Sequence, residues 1–105
     1  MIRAQALRRR GRIVALTVRG HADSAPYGED LVCAGVSALV QTAMLALARL
    51  DKEAPAATIS EGDVRWAGES GDAGQTILET CLIGLEDISR THPGALRVQV
   101  KEAEA

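Results

Sequence analysis

Apolar and polar residues change period several times along the chain, and each change marks an element. Ile2 to Leu7 alternates loosely, and Ile13 to Val18 is rich in branched residues; Arg8-Arg9-Arg10-Gly11-Arg12 lies between them. This reads as two antiparallel strands joined by a basic turn at Gly11, the second ending at Arg19-Gly20. His21 to Glu29 holds Pro, Gly, Ser and Asp with no apolar period and reads as a loop, with Ala22 to Glu29 expected to move. From Leu31 to Leu50 there is no Pro and one Gly, and Leu39, Val40, Ala43, Met44, Leu47 and Leu50 recur at helical spacing. Asp30 is the expected N-cap of that helix, because its carboxylate can accept from unpaired backbone N–H groups. Asp51 to Pro55 ends it, since Pro cannot continue the hydrogen-bond ladder.

Ala57 to Glu61 and Val64 to Ala67 read as short strands around a tight turn at Gly62-Asp63. Gly68 to Gly74 is a polar connector. Gln75 to Thr91 carries Ile77, Leu78, Cys81, Leu82, Leu85 and Ile88 on one face, a second amphipathic helix that His92-Pro93-Gly94 stops. Leu96 to Val100 alternates as a last strand, and Lys101 to Ala105 is expected to fray. The order ββαββαβ predicts an α+β fold in two layers, two helices packed on a five-stranded mixed sheet.

Composition narrows the class. A length of 105 residues suits one domain, 1–105, and 47% apolar residues suffice for a core. Trp66 and Tyr27 are the aromatics, so the core must be aliphatic. A net charge of −2 argues against a nucleic-acid binder, which usually carries a basic excess. The first residues lack the basic-then-apolar order of a signal peptide, and no apolar run is expected to reach the roughly 18 residues a membrane span requires. A cytoplasmic protein without membrane contact is expected. Cys33 and Cys81 lack metal-site spacing and should be free thiols, so no metal or cofactor is expected.

Cys33 draws attention. Behind an N-cap at Asp30 it would occupy the third helical position, where the helix dipole and nearby N–H groups favour thiolate, the nucleophilic form. His21 lies twelve residues earlier, where a strand gives way to the loop. A strand–loop–helix path can bring imidazole and thiol together, as a cysteine protease requires. Ser37 lies one turn after Cys33 and Asp30 one turn before, so either could orient His21 or a substrate. The plainer reading treats Cys33 as a small buried hydrophobe and His21 as a loop or capping residue. Cys81, on the apolar stripe, reads as core filler, and His92 as a residue that caps the helix or meets its dipole. The Arg8–Arg12 run reads most simply as a solvated turn, with a contact to ribosomal RNA or an acidic partner as the weaker alternative. Trp66 is expected in the core or at an interface.

Gly20-His21-Ala22 followed by Gly28-Glu29-Asp30-Leu31-Val32-Cys33-Ala34-Gly35-Val36-Ser37-Ala38-Leu39 resembles the signature of the ribosomal-processing cysteine protease family. Leu82 to Ile88, His92-Pro93 and the strand beyond also resemble that family, so the likeness covers nearly the whole chain. It implies an endopeptidase that removes the N-terminal extension of a bacterial large-subunit ribosomal protein, the twenty-seventh, during ribosome assembly. By position the family's nucleophile falls on Cys33 and its histidine on His21. Gly20, Asp30 and Ser37 match neighbouring positions. A homodimer is implied too, and the Ala and Leu residues of the first helix are compatible with one. The implied partner is the precursor peptide, with no direct nucleic-acid contact. Gly35 stands where many relatives carry Ala, and Asp23 to Tyr27 is individual, with Pro26 able to limit loop motion. Two rivals remain: a non-catalytic ribosome-associated binding module that uses Cys33 as packing, and a redox-sensing thiol protein, which lacks a nearby resolving Cys.

Overall fold

The structure is a computed structural model and describes residues 1–20 and 27–103. Its elements are β1 (Ile2–Arg9), β2 (Arg12–Arg19), α1 (Tyr27–Leu50), β3 (Thr58–Ser60), β4 (Asp63–Ala67), α2 (Asp72–Thr91) and β5 (Leu96–Glu102). The sheet runs β3-β4-β2-β1-β5, with β1 and β5 parallel and the other neighbours antiparallel. This is the expected two-layer α+β fold in the expected order.

Period-two alternation decides which way the sheet faces. Ile2, Ala4 and Ala6 of β1 are buried, whereas Arg3 and Gln5 are exposed. Leu16 and Val18 of β2, Trp66 of β4 and Leu96 of β5 complete the apolar face, and both helices cover it. The β1–β2 turn places Arg10 at φ 54° and Gly11 at φ 79°, the pair of positive angles that a tight two-residue hairpin needs. The register of β1 and β2 shifts between Leu7 and Arg8, and Ile13, paired with Arg8, lies beside Gln75. The Gln75 amide then accepts from Ile13 N–H and donates to Ile13 C=O, both at 2.8 Å. Arg8 and Arg12 are not simply solvated: Arg8 forms a bidentate pair with Glu79, and Arg12 donates to the Ser70 carbonyl at 2.8 Å. Trp66 is a core residue, its indole N–H donating to the Pro55 carbonyl at 3.0 Å.

Several boundaries differ from the sequence expectation. Helix α1 begins at Tyr27, so Asp30 lies within its first turn and is not its N-cap, and residues 27–29 are helical where a loop was expected. Helix α2 begins at Asp72, ahead of Gln75, and its N-cap Gly71 makes no side-chain cap. The acceptor comes from across the fold. The buried Asp51 carboxylate accepts from Gly74 N–H at 2.7 Å and from Glu53 N–H at 3.0 Å. An anion at the positive end of a helix is favourable, so Asp51 ties the exit of α1 to the entry of α2. Replacing Asp51 by Ala should cost about 2 kcal/mol, the usual worth of hydrogen bonds to a charged group. Denaturant melts would read this as a lower midpoint with an unchanged slope; an unchanged midpoint would refute the clamp.

Strand β5 runs through Glu102 where fraying was expected at Lys101, because Ala103 N–H still bonds to the Arg8 carbonyl at 2.6 Å. The expectation about membrane spans also needs correction. Leu31–Leu50 of α1 is long and apolar enough to cross one, by length and composition alone. Polar Ser37, Gln41 and Thr42 interrupt the run without offsetting its Leu, Val and Ala. One stripe of the helix, Val32, Val36, Val40, Met44 and Leu47, lies buried in the core.

Candidate active site

The buried stripe of α1 sets the position of Cys33. Val32, Val36 and Val40 face the sheet, and Cys33 lies one residue further round the helix, half-buried and packed against the core edge. It lines a cleft of about 60 Å³ between α1 and the β3–β4 hairpin. Ser37, one turn on, lines the same cleft and is exposed. The opposite wall includes Ile59, Ser60, Gly62 and Val64. Nothing in the sequence pointed to that wall, because only the fold brings the hairpin against α1.

Gly20 lines the cleft as well. Its N–H donates to the Gly62 carbonyl at 2.9 Å, and its φ of +98° lies where side chains are rarely tolerated. A Cβ there would sit 2.6 Å from the Met1 carbonyl oxygen. His21 lies outside the described residues, as do residues 22–26 of the loop expected from Ala22 to Glu29. The backbone that leads into His21 nonetheless borders the cleft that Cys33 lines.

The early start of α1 changes the electrostatic expectation. Cys33 lies nearly two turns in from Tyr27, not in the first turn. Dipole effects fall off beyond the first turn, so the helix terminus contributes less to this thiol than an N-cap at Asp30 would imply. Cys81 is core, as expected: it is buried on the inner stripe of α2, and desolvation pushes its thiol up to about 11. His92 is the C-cap residue of α2, its N–H donating to the Ile88 carbonyl at 2.8 Å. Among the described residues no group of His, Cys, Asp and Glu side chains is arranged to hold a metal ion.

A half-buried thiol facing a cleft beside a sheet edge is an arrangement suited to thiol-dependent peptide hydrolysis, and relatives give that class a family. The family model of the cysteine protease Prp matches residues 1–97. A ribosomal processing cysteine protease Prp of Staphylococcus aureus is 30% identical over 95 residues, covering 87% of this chain and 90% of its own. One from Bacillus subtilis is 33% identical over 94 residues, covering 82% and 84%. The crystal structure of the S. aureus protease with a covalently linked product peptide superposes with a TM-score of 0.80 at 28% identity, covering 96% of this chain and 100% of that one. The chain belongs to the Prp family of ribosomal processing cysteine proteases. It is a cysteine protease, and the reading of a non-catalytic module falls away.

Proposed function

We propose that this protease removes the N-terminal extension of the twenty-seventh large-subunit ribosomal protein, with Cys33 as nucleophile and His21 as base. The observation that carries the reading is the cleft with Cys33 on one wall and Gly20, the neighbour of His21, on another. A relative that retains a product peptide covalently is consistent with a nucleophilic enzyme.

The substrate lies extended along β3, the outer strand of the sheet among the described residues, whose outward backbone groups can add a strand. His21 takes the thiol proton, and Cys33 Sγ attacks the scissile carbonyl carbon. The tetrahedral oxyanion collapses as the C–N bond breaks, and His21 delivers the proton to the departing amine. A thioester remains. His21 then takes a proton from water, the hydroxide adds to the thioester carbonyl, and thiolate leaves as the acid forms. The backbone N–H of Cys33 belongs to the interior of α1, so oxyanion donors come from elsewhere; the Ser37 hydroxyl in the same cleft suits substrate positioning. Asp30, one turn before Cys33 in the sequence, is assigned to orienting His21 or the substrate.

The protein works in the cytoplasm, where precursor ribosomal proteins are made, and as a homodimer. Leu31, Leu45 and Leu50, each more than half exposed on α1, offer a second copy an apolar surface. The deciding experiment incubates the chain with the extended ribosomal precursor and reads the products by mass spectrometry. One cut that releases the extension supports the reading, and His21→Ala should slow it by roughly 10²-fold or more. An intact precursor beside a readily cut unrelated peptide would move the substrate elsewhere. Native-rate cleavage by His21→Ala would remove the base.

A further inference from the structure

The face of the sheet away from the helices carries a concentration of positive charge that catalysis in the cleft does not use. Register puts Arg97, Arg3 and Arg19 side by side on β5, β1 and β2. The next row on that face holds Gln99, Gln5, Thr17 and Arg65, and Lys101 follows beyond Gln99. Arg3, Arg19, Arg65, Arg97 and Lys101 are all exposed. Strands lie about 4.8 Å apart, so the three guanidinium groups of the first row fan out from a width of only ~10 Å of backbone. Asp63, beside Arg19, is the carboxylate on these rows, and Arg65 holds it by bonds of 3.1 and 3.2 Å. A depression of about 560 Å³ lined by Arg3, Gln5, Thr17, Arg19 and, at its rim, Asp63 lies within this surface.

The pattern is not what solubility alone calls for. Like charges directly opposite one another on adjacent strands are destabilising, and a face that merely needs water would mix signs. The chain as a whole is at −2, so these cations, set apart from every acidic residue on these rows but Asp63, are not part of a general basic excess. We infer that this open face is a docking surface for RNA, gripping the phosphate backbone through Arg3, Arg19, Arg97 and Lys101.

Chemistry favours RNA over an acidic protein. Protein interfaces centre on desolvated aromatic or aliphatic anchors, and the centre of this face holds Gln5, Thr17 and Gln99. Amide and hydroxyl groups among guanidinium groups suit phosphates and sugar hydroxyls, which supply affinity without sequence choice. Trp66 is buried, so the described face offers no aromatic platform for stacked bases, and binding should be electrostatic and salt-sensitive. The inference is independent of which peptide the cleft cuts. If the substrate is a ribosomal precursor, an RNA contact would hold the enzyme near unfinished particles.

The test is fluorescence anisotropy of the full chain with a fluorescein-labelled RNA hairpin of roughly 20 nucleotides, between 50 and 200 mM KCl. Binding should weaken with salt, with a slope of log K against log[salt] of about −2 to −3. Arg3→Gln with Arg97→Gln should weaken binding about tenfold at 50 mM KCl and reduce the slope by about 1.5. Cleavage of a free peptide should be unchanged in that variant. No binding at 50 mM KCl, or an unchanged slope in the variant, overturns the inference. So does loss of binding in Arg9→Gln with Arg10→Gln alone, which would move the contact to the hairpin turn. Polyglutamate competing as well as unlabelled RNA would point to an acidic protein and overturn it also.

Discussion

Replacing Cys33 by Ser is expected to abolish peptide cleavage while leaving the melting temperature nearly unchanged. The two side chains are close in size, and Cys33 is only half-buried, so little packing is lost. The hydroxyl has no accessible anionic form near neutral pH, whereas a thiol paired with an imidazole does. The loss should be on the order of 10⁴-fold or more in kcat/KM, as when the nucleophile of a coupled set is removed. Alkylation supplies the complementary experiment. Burial pushes the Cys81 thiol up to about 11, so at pH 7.5 its thiolate is a very small fraction and its sulfur is shielded by the core. Iodoacetamide should therefore inactivate the native enzyme through one adduct, and peptide mapping should place it on Cys33. Measurable turnover by Cys33→Ser, or inactivation by an adduct on Cys81, would assign the chemistry to another group.

The parts of the molecule legible in the sequence are those whose pattern is local and whose burial is one-sided. Polar Arg3 and Gln5 set between apolar Ile2, Ala4 and Ala6 in β1, and the Leu78, Cys81, Leu82 and Leu85 stripe of α2, each fix one face of an element. Boundaries were less legible because remote groups decide them. Asp30 has the chemistry of an N-cap, yet α1 reaches back to Tyr27. Gln75 is a reasonable first helical residue, yet α2 starts at Asp72 because Asp51, far earlier in the chain, supplies the acceptor that Gly71 lacks. Strand β5 outruns its alternation because β1 keeps offering it partners as far as Arg8. For the site, the Gly-His spacing and the helix start drew attention to Cys33, and Ser37 does line its cleft. The wall formed by Ile59, Ser60 and Val64 depends on how a hairpin of unremarkable sequence packs on α1, and no local rule contains that. The basic open face was hidden for a related reason. Arg3, Arg19 and Arg97 are far apart in sequence, and a net charge near zero conceals their assembly on one surface.

Gly20→Ala should impair both stability and catalysis, and comparison with Gly11→Ala can separate the two effects. Both glycines sit at positive φ, +98° for Gly20 and +79° for Gly11, so each replacement carries backbone strain of about 1–3 kcal/mol. They differ in surroundings. A Cβ at Gly11 meets nothing within 4 Å, whereas at Gly20 it lies 2.6 Å from the Met1 carbonyl oxygen. Backbone must therefore move where β2 ends, beside the Arg3–Arg19 register position and immediately before His21. A displacement of about 1 Å in a catalytic group can cost roughly 10²-fold in rate. Gly11→Ala, in the distant β1–β2 turn, should lower the melting temperature by several degrees and leave kcat/KM for a model peptide intact. Gly20→Ala should lower the melting temperature further and reduce kcat/KM by roughly 10²-fold at temperatures where the variant remains folded. Full activity in folded Gly20→Ala would mean that the geometry at the end of β2 does not set the position of His21, and that the base reaches the Cys33 cleft by some other anchoring of the chain.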